Sequence, residues 1–127
     1  MASSGAKRIC LVDDEPDFVE LLASLLTMNG FQVEKINDPK LAWQRLQVEA
    51  FDVVILDAMM PGMDGLTLAE KLRRTGAYAR TPLFILSAKK LTDQERKFIL
   101  TEDIHFVAKP FTTRRLLDVI AASLAKP

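Results

Sequence analysis

Four short polar segments, each placed directly after an apolar run, hold the residues whose types could do chemistry: Asp13-Asp14-Glu15, Asp57, Ser87 and Lys109-Pro110. Three aspartates brought within a few ångströms of one another repel strongly, and something must neutralise them. A hard divalent cation with oxygen ligands does so. Mg²⁺, or Mn²⁺ in its place, suits a site of few carboxylates and several waters. Three aspartates, one such cation and Lys109 sum to zero charge. Phosphorylating one aspartate would replace a single negative charge by about 1.5 to 2. The lysine ammonium, the cation and the Ser87 hydroxyl can absorb that increment through charge-assisted hydrogen bonds. A lone Asp-Asp pair is ordinarily a solvated turn or a helix cap, and a lone Lys-Pro says less. Four consecutive strand ends carrying such groups say much more.

The elements that must position these groups are legible as five apolar runs: residues 9–12, 31–33 with Ile36, 53–56, 83–86 and 106–108. They are mostly continuous rather than alternating, the pattern of strands buried on both faces of a parallel sheet. Segments of helical period lie between them. Phe18, Leu22, Leu25 and Leu26 form one stripe across residues 16–29, with Gly30 as a left-handed stop. Asp38-Pro39 reads as an N-cap and first-turn proline for a helix turning Ala42, Trp43 and Leu46 inward. Asp64-Gly65 opens a third helix carrying Leu68, Ala69 and Leu72. Residues 91–102 form a fourth, with Phe98, Ile99 and Leu100 as its apolar group. Thr112-Thr113 starts the last, with Leu116, Leu117, Ile120 and Leu124 on one side.

Five βα units in one chain predict a single flavodoxin-like, doubly wound α/β domain over residues 7–125, with a parallel sheet ordered 2-1-3-4-5. Residues 1–6 read as a disordered or cloning-derived leader. The order makes strands one and three neighbours at roughly 4.8 Å, so Asp13, Asp14 and Asp57 converge at the carboxyl edge, where such sheets form their sites.

With these residues in view, the chain resembles the receiver domain of bacterial two-component signalling. The resemblance rests on Asp13-Asp14, on Leu56-Asp57 followed by Met60-Pro61-Gly62-Met63-Asp64-Gly65, on Ser87-Ala88, and on Lys109-Pro110-Phe111. It implies that Asp57 accepts a phosphoryl group from a sensor histidine kinase or a histidine phosphotransfer protein, the domain catalysing its own modification. Asp14 is then the direct metal ligand, Asp13 a ligand acting largely through water, and the Met59 carbonyl completes the protein's share of the shell. Ser87 and Lys109 hold phosphoryl oxygens. Ser87 and Phe106 form the switch that alters helix four, strand five and helix five, a face suited also to a homodimer. Met59 and Lys89 flank the phosphoryl group and tune its lifetime. A cis peptide between Lys109 and Pro110 is implied as well. Phe106 stands where many relatives carry tyrosine, and Thr101-Glu102-Asp103-Ile104-His105 replaces the usual Gly-Ala pair before strand five.

The whole chain bounds the alternatives. Seventeen basic and seventeen acidic residues give zero formal net charge, so no global field favours nucleic acid or an anionic membrane surface. No apolar stretch approaches a membrane span, and the expected compartment is the cytoplasm. Cys10, the one cysteine, reads as a buried structural thiol. His105 reads as a solvated strand-end residue, and Thr67, Thr75, Arg73-Arg74 and Arg114-Arg115 as exposed helix faces. An aspartyl phosphohydrolase would need an acid/base two residues past the nucleophile, where Met59 stands. A flavin mononucleotide carrier would need an amide-rich phosphate cradle where Asp13-Asp14-Glu15 would repel one. A degenerate receiver acting as a phosphorylation-independent interaction module remains the alternative, although no key residue is missing.

Overall fold

The computed structural model describes residues 6–60 and 62–125. Pro61 and, apart from Ala6, the expected leader fall outside them. Among the described residues, strands and helices alternate as β1 (Arg8–Val12), α1 (Pro16–Met28), β2 (Gln32–Ile36), α2 (Pro39–Val48), β3 (Val53–Asp57), α3 (Gly65–Arg73), a 3-10 turn (Gly76–Tyr78), β4 (Leu83–Ser87), α4 (Asp93–Thr101), β5 (His105–Ala108) and α5 (Thr113–Ala125). All strand pairs are parallel, in the order β2-β1-β3-β4-β5.

The continuous apolar runs follow from burial on both sides. Cys10 and Val12 of β1 join Val54 and Leu56 of β3 in a core closed by Ala42 and Leu46 of α2, Leu68 and Leu72 of α3 and Ile99 of α4. Ile9 and Leu11, facing the other way, join Ile55 and Phe84 beneath Leu22 and Leu26 of α1 and Leu116 and Ile120 of α5. Burial pushes the Cys10 thiol up to about 12, so it stays a neutral core group.

Helix ends follow local chemistry. Asp38 and Asp64 cap α2 and α3 through their side chains, and Gly30 takes φ 95° after α1. Helix α4 starts at Asp93 rather than Leu91, because Thr92 and Glu95 form a reciprocal capping box. Its far end needs no glycine. Asp103 occupies the left-handed position at φ 54°, while the amides of Asp103 and Ile104 bond back to the carbonyls of Leu100 and Ile99, a Schellman closure.

Three expectations are corrected. Leu100 is 81% exposed, since the short α4 turns only Ile99 fully inward. Arg73 is half-buried: its guanidinium donates to the carbonyls of Tyr78, Thr81, Glu102 and Asp103, tying α3 to the turns before β4 and β5. His105 is half-buried and stacks on Phe84 with ring centroids 4.7 Å apart.

Candidate functional site

Register places the chemistry. Val12 lies opposite Leu56, and Asp57 opposite Leu86; Ser87 in turn lies opposite Ala108. The residues that follow or end these strands therefore meet at one edge of the sheet. Carboxylate oxygens of Asp13, Asp14 and Asp57 lie within 4.8 Å of one another. Asp13 is buried, Asp57 half-buried and Asp14 exposed. Lys109 reaches across from the end of β5, its Nζ 3.3 Å from Asp57 Oδ1 and 3.7 Å from Asp13 Oδ2. The Lys109–Pro110 peptide is cis.

The three carboxylates outnumber the one ammonium that faces Asp13 and Asp57. Asp13 Oδ1 accepts the Glu15 amide at 2.9 Å. Asp13 Oδ2 has no hydrogen-bond donor and is the single buried side-chain oxygen or nitrogen in that condition among the described residues. Burial, more than any neighbour, raises the Asp13 carboxyl above the usual range, against the pull of the Glu15 amide. Asp57 is raised too, by burial first, with Lys109 opposing. Two carboxylates held above their ordinary pKa beside a third, one of them with an orphaned oxygen, fit a hard divalent cation.

The backbone around Asp57 is tight. A Cβ on Gly65 would overlap the Asp57 carbonyl, so only glycine lets α3 begin this close to the acceptor strand. The Met59 side chain, two residues past Asp57, is exposed. Ser87 is buried, and its Oγ accepts the Lys89 amide at 2.9 Å, leaving its own proton to donate. Phe106, half-buried, walls a cavity of about 480 Å³ with Ser87, Leu91 and Ile99.

Two residues at the site, Glu95 and Phe18, are not assigned to it by the sequence reading. Lys89 does not stand free: its Nζ is 2.8 Å from Glu95 Oε2, and Glu95 Oε1 accepts the Thr92 amide in the α4 capping box. The Thr92-x-x-Glu95 spacing could have flagged that carboxylate. Phe18, assigned to the α1 core stripe, lies under the Lys109 ammonium, with Nζ 4.3 Å from the ring centroid; no local signal distinguishes it from its leucine neighbours.

The sequence profile of the response regulator receiver domain matches residues 9–121. The chain belongs to that family, whose members are phosphoryl-accepting switches of two-component signalling. Sensor protein GacS of Pseudomonas syringae pv. syringae is 32% identical over 121 residues, 93% of this chain and 13% of that protein. The phosphate regulon transcriptional regulatory protein PhoB of Rhizobium meliloti is 34% identical over 122 residues, 94% of this chain and 54% of that one. The chain thus spans about half or less of the length of these relatives. Among solved structures, the signal receiver domain of a histidine kinase from Syntrophus aciditrophicus superposes with TM-score 0.84 at 26% identity, covering 94% of this chain and 91% of that one. The receiver domain of sensor histidine kinase PA1611 from Pseudomonas aeruginosa PAO1, at 23% identity and TM-score 0.85, covers 96% of this chain and 100% of its own. That structure has a magnesium ion coordinated in its active-site cleft.

Proposed function

We propose that this domain takes a phosphoryl group from a phosphohistidine, on a sensor histidine kinase or a histidine phosphotransfer protein, onto Asp57. The observation that carries the reading is the set of three carboxylates within 4.8 Å, one with an orphaned buried oxygen, under the ammonium of Lys109. Asp14, Asp57, Asp13 acting largely through water, and the Met59 carbonyl would hold Mg²⁺ or Mn²⁺. Bound there, the cation supplies positive charge against the carboxylates and the phosphoryl oxygens.

The chain's own residues do the rest. An Asp57 carboxylate oxygen attacks phosphorus in line, the P–N bond of the donor breaks, and the electron pair leaves with the imidazole. Lys109 stays protonated and moves its hydrogen bond from Asp57 to a phosphoryl oxygen as charge builds there. Ser87 donates its free hydroxyl proton to another. Drawing Ser87 inward empties space beside Phe106, which turns into it and biases a two-state equilibrium of α4, β5 and α5. Exposed Leu100 gives that face an apolar contact for a downstream partner or a second copy. In hydrolysis, Met59 offers no good acceptor to orient a water. Lys89 can shield the phosphoryl group only by leaving Glu95. The cytoplasm is the compartment in which such a donor would meet the domain.

The test is phosphoryl uptake from a small acyl phosphate with Mg²⁺, followed by intact mass. Wild type gains one phosphoryl equivalent, and neither Asp57→Asn nor wild type in EDTA does. Uptake by Asp57→Asn would overturn the assignment, and absence of uptake by wild type would favour a phosphorylation-independent module.

A further inference from the structure

Lys109 is held by three groups, of which two are carboxylates. The third is the face of Phe18, 4.3 Å from Nζ to the ring centroid. Phe18 is itself fixed, its ring meeting Phe111 edge to face at 83° with centroids 6.1 Å apart. Phe111 lies two residues after Lys109, so one short segment contacts a single α1 ring twice. The Lys109 side chain is only 20% exposed, and attraction of a cation to an aromatic face grows as the pair is withdrawn from water.

We propose that Phe18 is a positioning residue for phosphoryl transfer, holding the Lys109 ammonium at the acceptor while the carboxylates change partners. The role rests on the reading of Asp57 as phosphoacceptor. Both carboxylates that bind Lys109 are ones a divalent cation would draw upon, and Asp57 loses its carboxylate charge when it becomes an acyl phosphate. Their hold on the ammonium therefore changes during the reaction. The ring carries no ligating atom and no net charge, so its attraction persists from the free site through the phosphorylated one. It also leaves the full charge of Lys109 for the moving phosphoryl, as an acidic anchor would not. Leucine fills similar space without a quadrupole.

A small acyl phosphate as donor keeps protein docking out of the measurement. Initial rates of uptake under saturating Mg²⁺ are compared for wild type, Phe18→Leu, Phe18→Tyr, Lys109→Gln and Phe18→Leu with Lys109→Gln. We expect Phe18→Leu to slow uptake roughly tenfold, equivalent to about 1.4 kcal/mol, and Phe18→Tyr to stay within about twofold of wild type. In the Lys109→Gln background the ring should no longer matter. In EDTA, the Lys109 ε-methylene protons should be ring-current shifted in wild type and Phe18→Tyr and unshifted in Phe18→Leu. Equal rates for wild type and Phe18→Leu, an undiminished Phe18→Leu effect beside Lys109→Gln, or an absent ring-current shift would each overturn the proposal. A wild type that takes up no phosphoryl group is a separate result, which removes the acceptor reading and this role with it.

Discussion

Replacing Asp13 by asparagine should make the metal-free protein more stable, although it removes a residue of the functional site. Asparagine keeps the shape of the side chain. Its Oδ1 can still accept the Glu15 amide, and its Nδ2 can donate towards the remaining carboxylates, where the Asp13 oxygen has no donor. The substitution lifts two repulsions, with Asp57 and Asp14 at up to 4.8 Å, and forfeits one attraction, to Lys109 at 3.7 Å. At about 5 Å, two unit charges interact with roughly 3.5 kcal/mol at an effective dielectric of 20 and roughly 0.9 kcal/mol in water. The net change resembles one such repulsion plus the relief of a buried, unsatisfied charge, on the order of 1–3 kcal/mol. For a domain of this size that is a rise in Tm of about 3–10 °C. The pH dependence has a definite sign. A carboxyl raised above its ordinary pKa by folding costs stability when ionised, so wild type loses that contribution as pH rises through the folded pKa. The advantage of the variant should therefore be full at neutral pH and shrink towards the ordinary aspartate range near about 4. Saturating Mg²⁺ should narrow or reverse it, since a ligand at 100 times its Kd adds about 2.7 kcal/mol to a form that binds it. Thermal unfolding in EDTA and in Mg²⁺ across pH measures all three. An Asp13→Asn protein melting at or below wild type in EDTA at neutral pH would refute the electrostatic account.

Three further outcomes are expected. Arg73→Ala should destabilise by about 2–4 kcal/mol in urea unfolding, because four backbone carbonyls lose a charged donor; Arg73→Lys should recover little, lacking the planar fork. Glu95→Gln should keep the α4 capping box, which glutamine also closes, while freeing Lys89; the phosphorylated form should then decay several-fold more slowly, and adding Lys89→Met should abolish the difference. Ser87→Ala should still accept the phosphoryl group, yet beryllofluoride should shift the amide resonances of α4 and α5 less than half as far as in wild type.

What the sequence makes legible here is whatever depends on period and on strand ends. Continuous apolar runs declare strands buried twice, and the polar residue after each run declares the edge at which it emerges. Asp13, Asp57, Ser87 and Lys109 were therefore readable before any coordinate. Capping chemistry was equally local, from Asp38 and Asp64 to Gly30. Thr92 and Glu95 carried the same kind of signal, and only the assumption that α4 begins at Leu91 hid it.

The residues whose partners went unmarked share a different cause. Arg73, His105, Phe18 and Lys89 all sit at positions whose neighbours in sequence say nothing about their partners in space. Helical period assigns a residue to a face; it does not say how far a long side chain reaches from that face or what backbone it meets. Arg73 looks like an exposed basic residue until the turns before β4 and β5 bring four carbonyls to it. Phe18 looks like one more apolar member of the α1 stripe, and it is half core, since it packs on Phe111 and the cluster beneath α1. Its face becomes part of the site only because register carries Lys109 to the same sheet edge. The sequence thus marks groups that must ionise or coordinate, which few other residue types can do. It leaves unmarked the apolar residues that hold them, because a ring beneath an ammonium and a ring in a core obey the same pattern until the fold is closed.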